Sequence, residues 1–169
     1  MELALDELRQ LARWSAECAE QVLPLVPDDP RPRGAVEAAR EFGAGGNRIK
    51  AIRTTAFAAL KAAGELTDPA AEAAARAAVA AAGSAYLHPL ANATQVKHIV
   101  GAAQYAAYAQ ELATGDPAAA DVFVRWALER VPDTVRNVIA RYPDGTSGRS
   151  RLGELHRQLE AELRRPSTS

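Results

Sequence analysis

The chain has 169 residues, long enough for one domain with a full hydrophobic core, and its 48% hydrophobic and 24% charged content is that of an ordinary globular protein. Its 20 basic and 21 acidic residues leave a net charge of -1, so it has neither the basic excess of a dedicated nucleic-acid binder nor a global field for an anionic membrane. The single cysteine, Cys18, excludes an internal disulfide framework.

The acidic start Met1-Glu2-Leu3-Ala4-Leu5-Asp6-Glu7 has no basic region, and no long apolar run follows it. Neither a secretory signal nor a membrane span is predicted, and a cytoplasmic location is expected. A first helix is predicted over Leu5–Val26, with Leu8, Leu11, Cys18, Val22 and Leu25 on one face and Trp14 beside them. Cys18 reads as a small buried hydrophobe. Pro27, Pro30 and Pro32 break the helix, with Asp28 or Asp29 as the next cap, and a second helix is predicted over Pro32–Phe42.

Gly43-Ala44-Gly45-Gly46 closes it, and Asn47 is the expected N-cap of a third helix running to Gly64. The apolar stripe expected on that helix is Ile49, Ile52, Ala56, Leu60 and Ala63. Thr67-Asp68-Pro69 then signals a fourth helix, to about Leu87, that carries almost nothing larger than alanine. Alanine supplies about a quarter of the chain and is the best helix former, because ordering it freezes no side-chain rotamer. A helix built from it approaches its neighbours closely, so the fourth is expected at the centre of the stack.

His88-Pro89 interrupts before a helix over Asn92–Ala113, and Gly115-Asp116-Pro117 stops that helix and starts the next. This sixth helix carries Val122, Phe123, Trp126 and Ala127, and Pro132-Asp133 leads into Val135, Val138 and Ile139. Residues 143–150 read as a linker-like loop. Residues 151–169 read as a short terminal helix and tail, with Leu152, Leu155, Leu159 and Leu163 in a stripe. No segment sustains the alternation of a strand. The expected fold is all-α: a single-domain bundle or short stack of αα-hairpins over residues 1–142, about seven to eight helices in all, with the terminal helix packed on or appended to it.

No phosphate-cradling loop, His-Glu-x-x-His motif, cysteine cluster or nucleophile elbow is present, so no cofactor or metal site is expected. Three polar features remain. Arg31 and Arg33 on a proline-rigidified turn, followed by Glu37 and Arg40, predict either an ionic ladder or an arginine surface for an acidic partner. His88 and His98 could line an inter-helix pocket, with Tyr105 on the same helix as His98, whereas His156 lies far off on the terminal helix. Arg48, Lys50 and Arg53 gather at the start of the third helix, a weak phosphate signal without aromatic interleaving.

The run Trp14 to Pro24, then Asp29-Pro30-Arg31-Pro32-Arg33, Ala35 to Arg40, and His98 with Gly101-Ala102-Ala103-Gln104-Tyr105-Ala106, resembles the immunity-protein-five-like family of bacterial polymorphic toxin systems. The resemblance spans Leu8 to Glu111. It departs from the family pattern at Gly34, Phe42 and the glycine-rich Gly43–Asn47. It implies a cytoplasmic, all-helical, non-catalytic binder that neutralises a cognate toxin, with Arg31, Arg33, Glu37, Arg40 and His98 as its recurring polar positions. Read without it, the residues leave open a small helical enzyme or ligand- or metal-binding protein using His88 and His98. They also leave open a homodimer formed through the terminal leucines.

Overall fold

Three helices begin at an Asp-Pro step, in which the carboxylate accepts a first-turn N–H and the proline takes the first helical position. The acceptors are Asp29 for Arg31 N–H at 3.0 Å, Asp68 for Ala71 at 3.1 Å and Asp116 for Ala118 at 2.9 Å. These caps, each worth about 1 kcal/mol, divide the chain where the sequence places its breaks. The computed structural model describes residues 1–167, which contain eight α-helices and no strand.

Helix α1 runs over Leu5–Glu20, shorter than the helix predicted to Val26. Pro24 sets this end, since its ring would clash with the carbonyl of Glu20 and it has no N–H to donate there. The chain continues as a 3-10 turn at Leu23–Leu25. Helix α2 runs over Pro30–Gly43, two residues earlier than expected because Asp29 is its cap. Arg9 and Arg13 on α1 donate to the carbonyls of Gly43, Gly45 and Gly46, pinning the glycine loop that follows.

Helix α3 spans Lys50–Glu65, and the expected Asn47 cap is replaced by Ile49, which offers no side-chain cap. A tertiary contact accompanies this start: the Tyr86 hydroxyl donates to the Ile49 carbonyl at 3.0 Å. Helix α4, Pro69–Ser84, buries nine alanines and Ser84. It packs against α1, α2, α3 and α5, whose range is Val96–Thr114, and so holds the central place expected of it. A Cβ added at Gly101 of α5 would lie 3.2 Å from the Cβ of Ala80 on α4, so the two helices meet at a distance only small residues permit.

Helix α5 ends at Gly115, whose φ of 71° is the left-handed conformation favoured by glycine. Helices α6 (Pro117–Arg130) and α7 (Asp133–Ile139) follow. The Trp14 indole donates to the carbonyl of Ala127 at 3.0 Å, tying α1 to α6. Helix α8, Arg151–Arg164, is capped by Ser150 and folds back on α5, α6 and α7. Its Leu155, Leu159 and Leu163 are buried within the chain and Leu152 is half-buried, so three of the four leucines expected at a dimer seam are already covered. The loop over 143–150 is tied down by Gly145 N–H to Glu160 and by Arg157 to Ser147 and Gly148.

Candidate binding cleft and exposed helix face

The return of α8 along α5 leaves a cleft of about 470 Å³ bounded by α4, α5, α8 and the 146–150 loop, with Leu60 of α3 at its edge. His98 and Tyr105 line it, as the sequence suggested. His88 does not. Its side chain is exposed in the turn after α4, and its backbone serves structure: the N–H donates to Gln95 and the carbonyl accepts from the Tyr142 hydroxyl at 2.6 Å.

In its place stands His156, set aside from sequence because it lies on the terminal helix. It is only 4% exposed, and its Nε2 lies 3.2 Å from Oε2 of Glu160, one turn further along α8. A carboxylate only accepts, so Nε2 carries the hydrogen, and Nδ1 makes no hydrogen bond among the described residues on a ring that lines the cleft. Burial pushes the Glu160 carboxyl up, but the Gly145 N–H, the Arg164 guanidinium and His156 outweigh it and hold the group below its ordinary value. His98 is half-buried, and burial, with Lys97 adding to it, lowers its pKa and favours the neutral imidazole.

Apart from the histidines, the cleft is lined by two cations, Arg76 and Lys97, and among the described residues by no aspartate or glutamate. Gln104 donates to the Leu152 carbonyl at 2.8 Å, bridging α5 and α8. Among the described residues no group of three or more His, Cys, Asp or Glu side chains could hold a metal ion.

The arginine ladder expected on α2 does not form. Arg31 instead makes paired hydrogen bonds to Asp29, at 3.0 and 2.8 Å, and reaches Glu65 of α3 at 2.6 Å. Its guanidinium lowers the pKa of both carboxylates. Arg40 is ion-paired with Glu20 of α1. Of the four ladder residues, Arg33 and Glu37 are exposed and make no ion pair or side-chain hydrogen bond among the described residues. Carboxylates already positioned by the fold outcompete a neighbour on the same helix, which must be ordered to pair.

Helix α3 departs furthest from its expected stripe. Ile52, Ala59, Ala62 and Ala63 are buried, whereas Ile49, Phe57 and Leu60 are 53%, 64% and 42% exposed. Ile49, Arg53, Phe57 and Leu60 recur at helical spacing along one outer face. Arg53 and Arg48 lie over the Tyr86 ring, at 4.7 and 5.7 Å from its centroid, so the predicted basic cluster does hold an aromatic, supplied from just beyond α4. A helical wheel would have exposed Phe57; nothing in the sequence marks Tyr86 or His156 as partners.

A family model described as Imm-5 like putative immunity protein matches residues 1–134. The chain belongs to that family. The match covers α1 through α6 and reaches the start of α7, further than the Leu8–Glu111 resemblance read from motifs. No curated protein and no solved structure matches the chain. Within this Imm-5 like chain, α8 and its contribution to the cleft lie outside the matched region.

Proposed function

We propose that the protein is a non-catalytic immunity protein, which binds one cognate bacterial toxin stoichiometrically and so neutralises it in the bacterial cytoplasm. Membership of the Imm-5 like family over residues 1–134 carries this reading. The net charge of -1 supports contacts matched in shape over mimicry of nucleic acid, which uses a strongly acidic surface. Among the described residues no helix is long and apolar enough to cross a membrane.

The test begins with a tagged pull-down from the producing cells, with nucleic acid digested and the bound protein identified by mass spectrometry. The recovered protein is then expressed in a heterologous host with and without this chain. Growth arrest relieved by co-expression, together with a complex of fixed stoichiometry, is the expected result. A partner that is not toxic, or toxicity that co-expression does not relieve, overturns the reading.

A second reading is favoured by one observation, a cleft-lining His156 held in place by the buried Glu160: this would be a site for a small ligand. Thermal-shift screening of small organic acids and metabolites against the purified chain separates the two readings.

A further inference from the structure

We infer that the outer face of α3 and the cleft beside it form one docking groove, and that its occupant is an acidic segment of the toxin with aromatic or branched aliphatic anchors. The inference rests on the immunity reading for the identity of that partner.

Leu60 belongs to both surfaces: it is exposed on the α3 stripe and stands at the edge of the cleft. The apolar face at Phe57 and Leu60 therefore leads into the space between α4 and α8, with Ile49 beyond Arg53 at the start of the same face. A helix face with three large exposed hydrophobics in register is costly to leave in water, and it is how a recognition surface presents anchor sites.

The unpaired charge on this surface has one sign. Lys50, Arg53 and Lys61 on α3 and Lys97 in the cleft form no ion pair among the described residues. Arg76, the other cation lining the cleft, is paired with Glu72 one turn back on α4 and is not counted among them. Elsewhere arginines are matched within the chain, as with Arg31, Arg40, Arg141 and Arg151. Cations left unmatched beside exposed apolar groups call for carboxylates from outside.

The same pattern disfavours two other occupants. A second copy docked face to face would set these cations against each other. Single-stranded nucleic acid wants stacking platforms, but Ile49 and Leu60 are aliphatic and leave Phe57 as the lone exposed ring on the stripe.

The test titrates the full chain into three fluorescein-labelled probes: a peptide alternating Glu with Phe and Leu, its counterpart with Lys for every Glu, and oligo-uridylate. The acidic peptide is expected to bind, with at least tenfold weaker binding in the Phe57→Ala/Leu60→Ala double variant and in Lys97→Glu. Arg125→Glu, on α6, is expected to leave it unchanged. Equal binding of both peptides, preference for the oligonucleotide, no binding to any probe, or insensitivity to the groove variants overturns the inference.

Titration of the same variants against the recovered toxin separates this inference from the immunity reading. Full affinity in the groove variants overturns the groove and leaves the immunity reading intact. If no toxin is recovered but the acidic peptide binds as expected, the immunity reading fails and the groove's chemistry stands. Circular dichroism confirms folding, which substitution of such exposed side chains should preserve.

Discussion

Glu160 and His156, one helical turn apart on α8, are both buried, with Oε2 of the acid 3.2 Å from Nε2 of the imidazole. The same carboxylate accepts from the Gly145 N–H at 2.7 Å and pairs with Arg164 at 2.8 Å. One side chain thus ties the 143–150 loop to the terminal helix and fixes the orientation of a cleft histidine. Glu160→Ala leaves three donors without their acceptor, and a cost on the order of 3 kcal/mol is expected for breaking such a buried cluster. Urea denaturation of the full chain measures it.

The folded-state pKa of Glu160 lies below its ordinary value of 4.5. Its stabilisation is therefore present above pH 4.5 and is lost as pH falls through the folded-state value. Denaturation midpoints measured from pH 6 downward should show a shallower acid slope in Glu160→Gln than in the wild type. An unchanged slope would mean that the acid sensitivity comes from Glu7, Asp29 and Glu65, whose pKa values are also lowered.

His98 acts at a higher pH. Its folded-state pKa is lowered from 6.5, so the unfolded chain takes up its proton first. Its contribution is fully present above pH 6.5 and lost as pH falls from there through the folded-state value. The groups nearest this argument are Lys97 on its own helix, Arg76 of α4 and His156 of α8, all of which line the same cleft. His98→Gln should remove part of the stability change below pH 6.5, read as a shift in urea midpoint between pH 7 and pH 5.5. Identical shifts in variant and wild type would show that His98 does not titrate on unfolding.

The helices were legible because their signals are local. Aspartate caps, prolines and the glycine stop at Gly115 act within a few residues, and each broke the chain where it stood. Alanine propensity likewise declared α4, and its small side chains declared its central position. The site was less legible, because it depends on which helices meet. Arg31 found Glu65 thirty-four residues away in preference to a ladder on its own helix. His156 reached the cleft only because α8 folds back on α5, while His88, nearer to His98 in sequence, was turned outward. On α3, periodicity indicated an apolar stripe, but Ile52 and three alanines took the inner face against α2 and α4, leaving Ile49 and Leu60 outside.

Cys18 is fully buried, and burial pushes its thiol pKa up, which suppresses the reactive thiolate. The native chain should therefore leave Ellman's reagent unreacted over hours and react with one equivalent in denaturant. Rapid labelling of the native protein would mean that α1 opens readily from the core.

The α4–α5 contact offers the sharpest test of how the alanine-rich core is held. Gly101 has room for a Cβ only at 3.2 Å from that of Ala80, tighter than ordinary van der Waals contact. Gly101→Ala sets a higher helix propensity, worth about 1 kcal/mol, against a shift of a few tenths of an ångström between two helices. Gly101→Val adds branching that the gap cannot hold and should cost about 1–3 kcal/mol through overpacking. Because α4 also contacts α1, α2 and α3, that displacement would be felt across the bundle. Thermal melts of the two variants should therefore diverge, with Ala near the wild type and Val clearly lower. A valine variant as stable as wild type would show that α5 can move off α4 without loss.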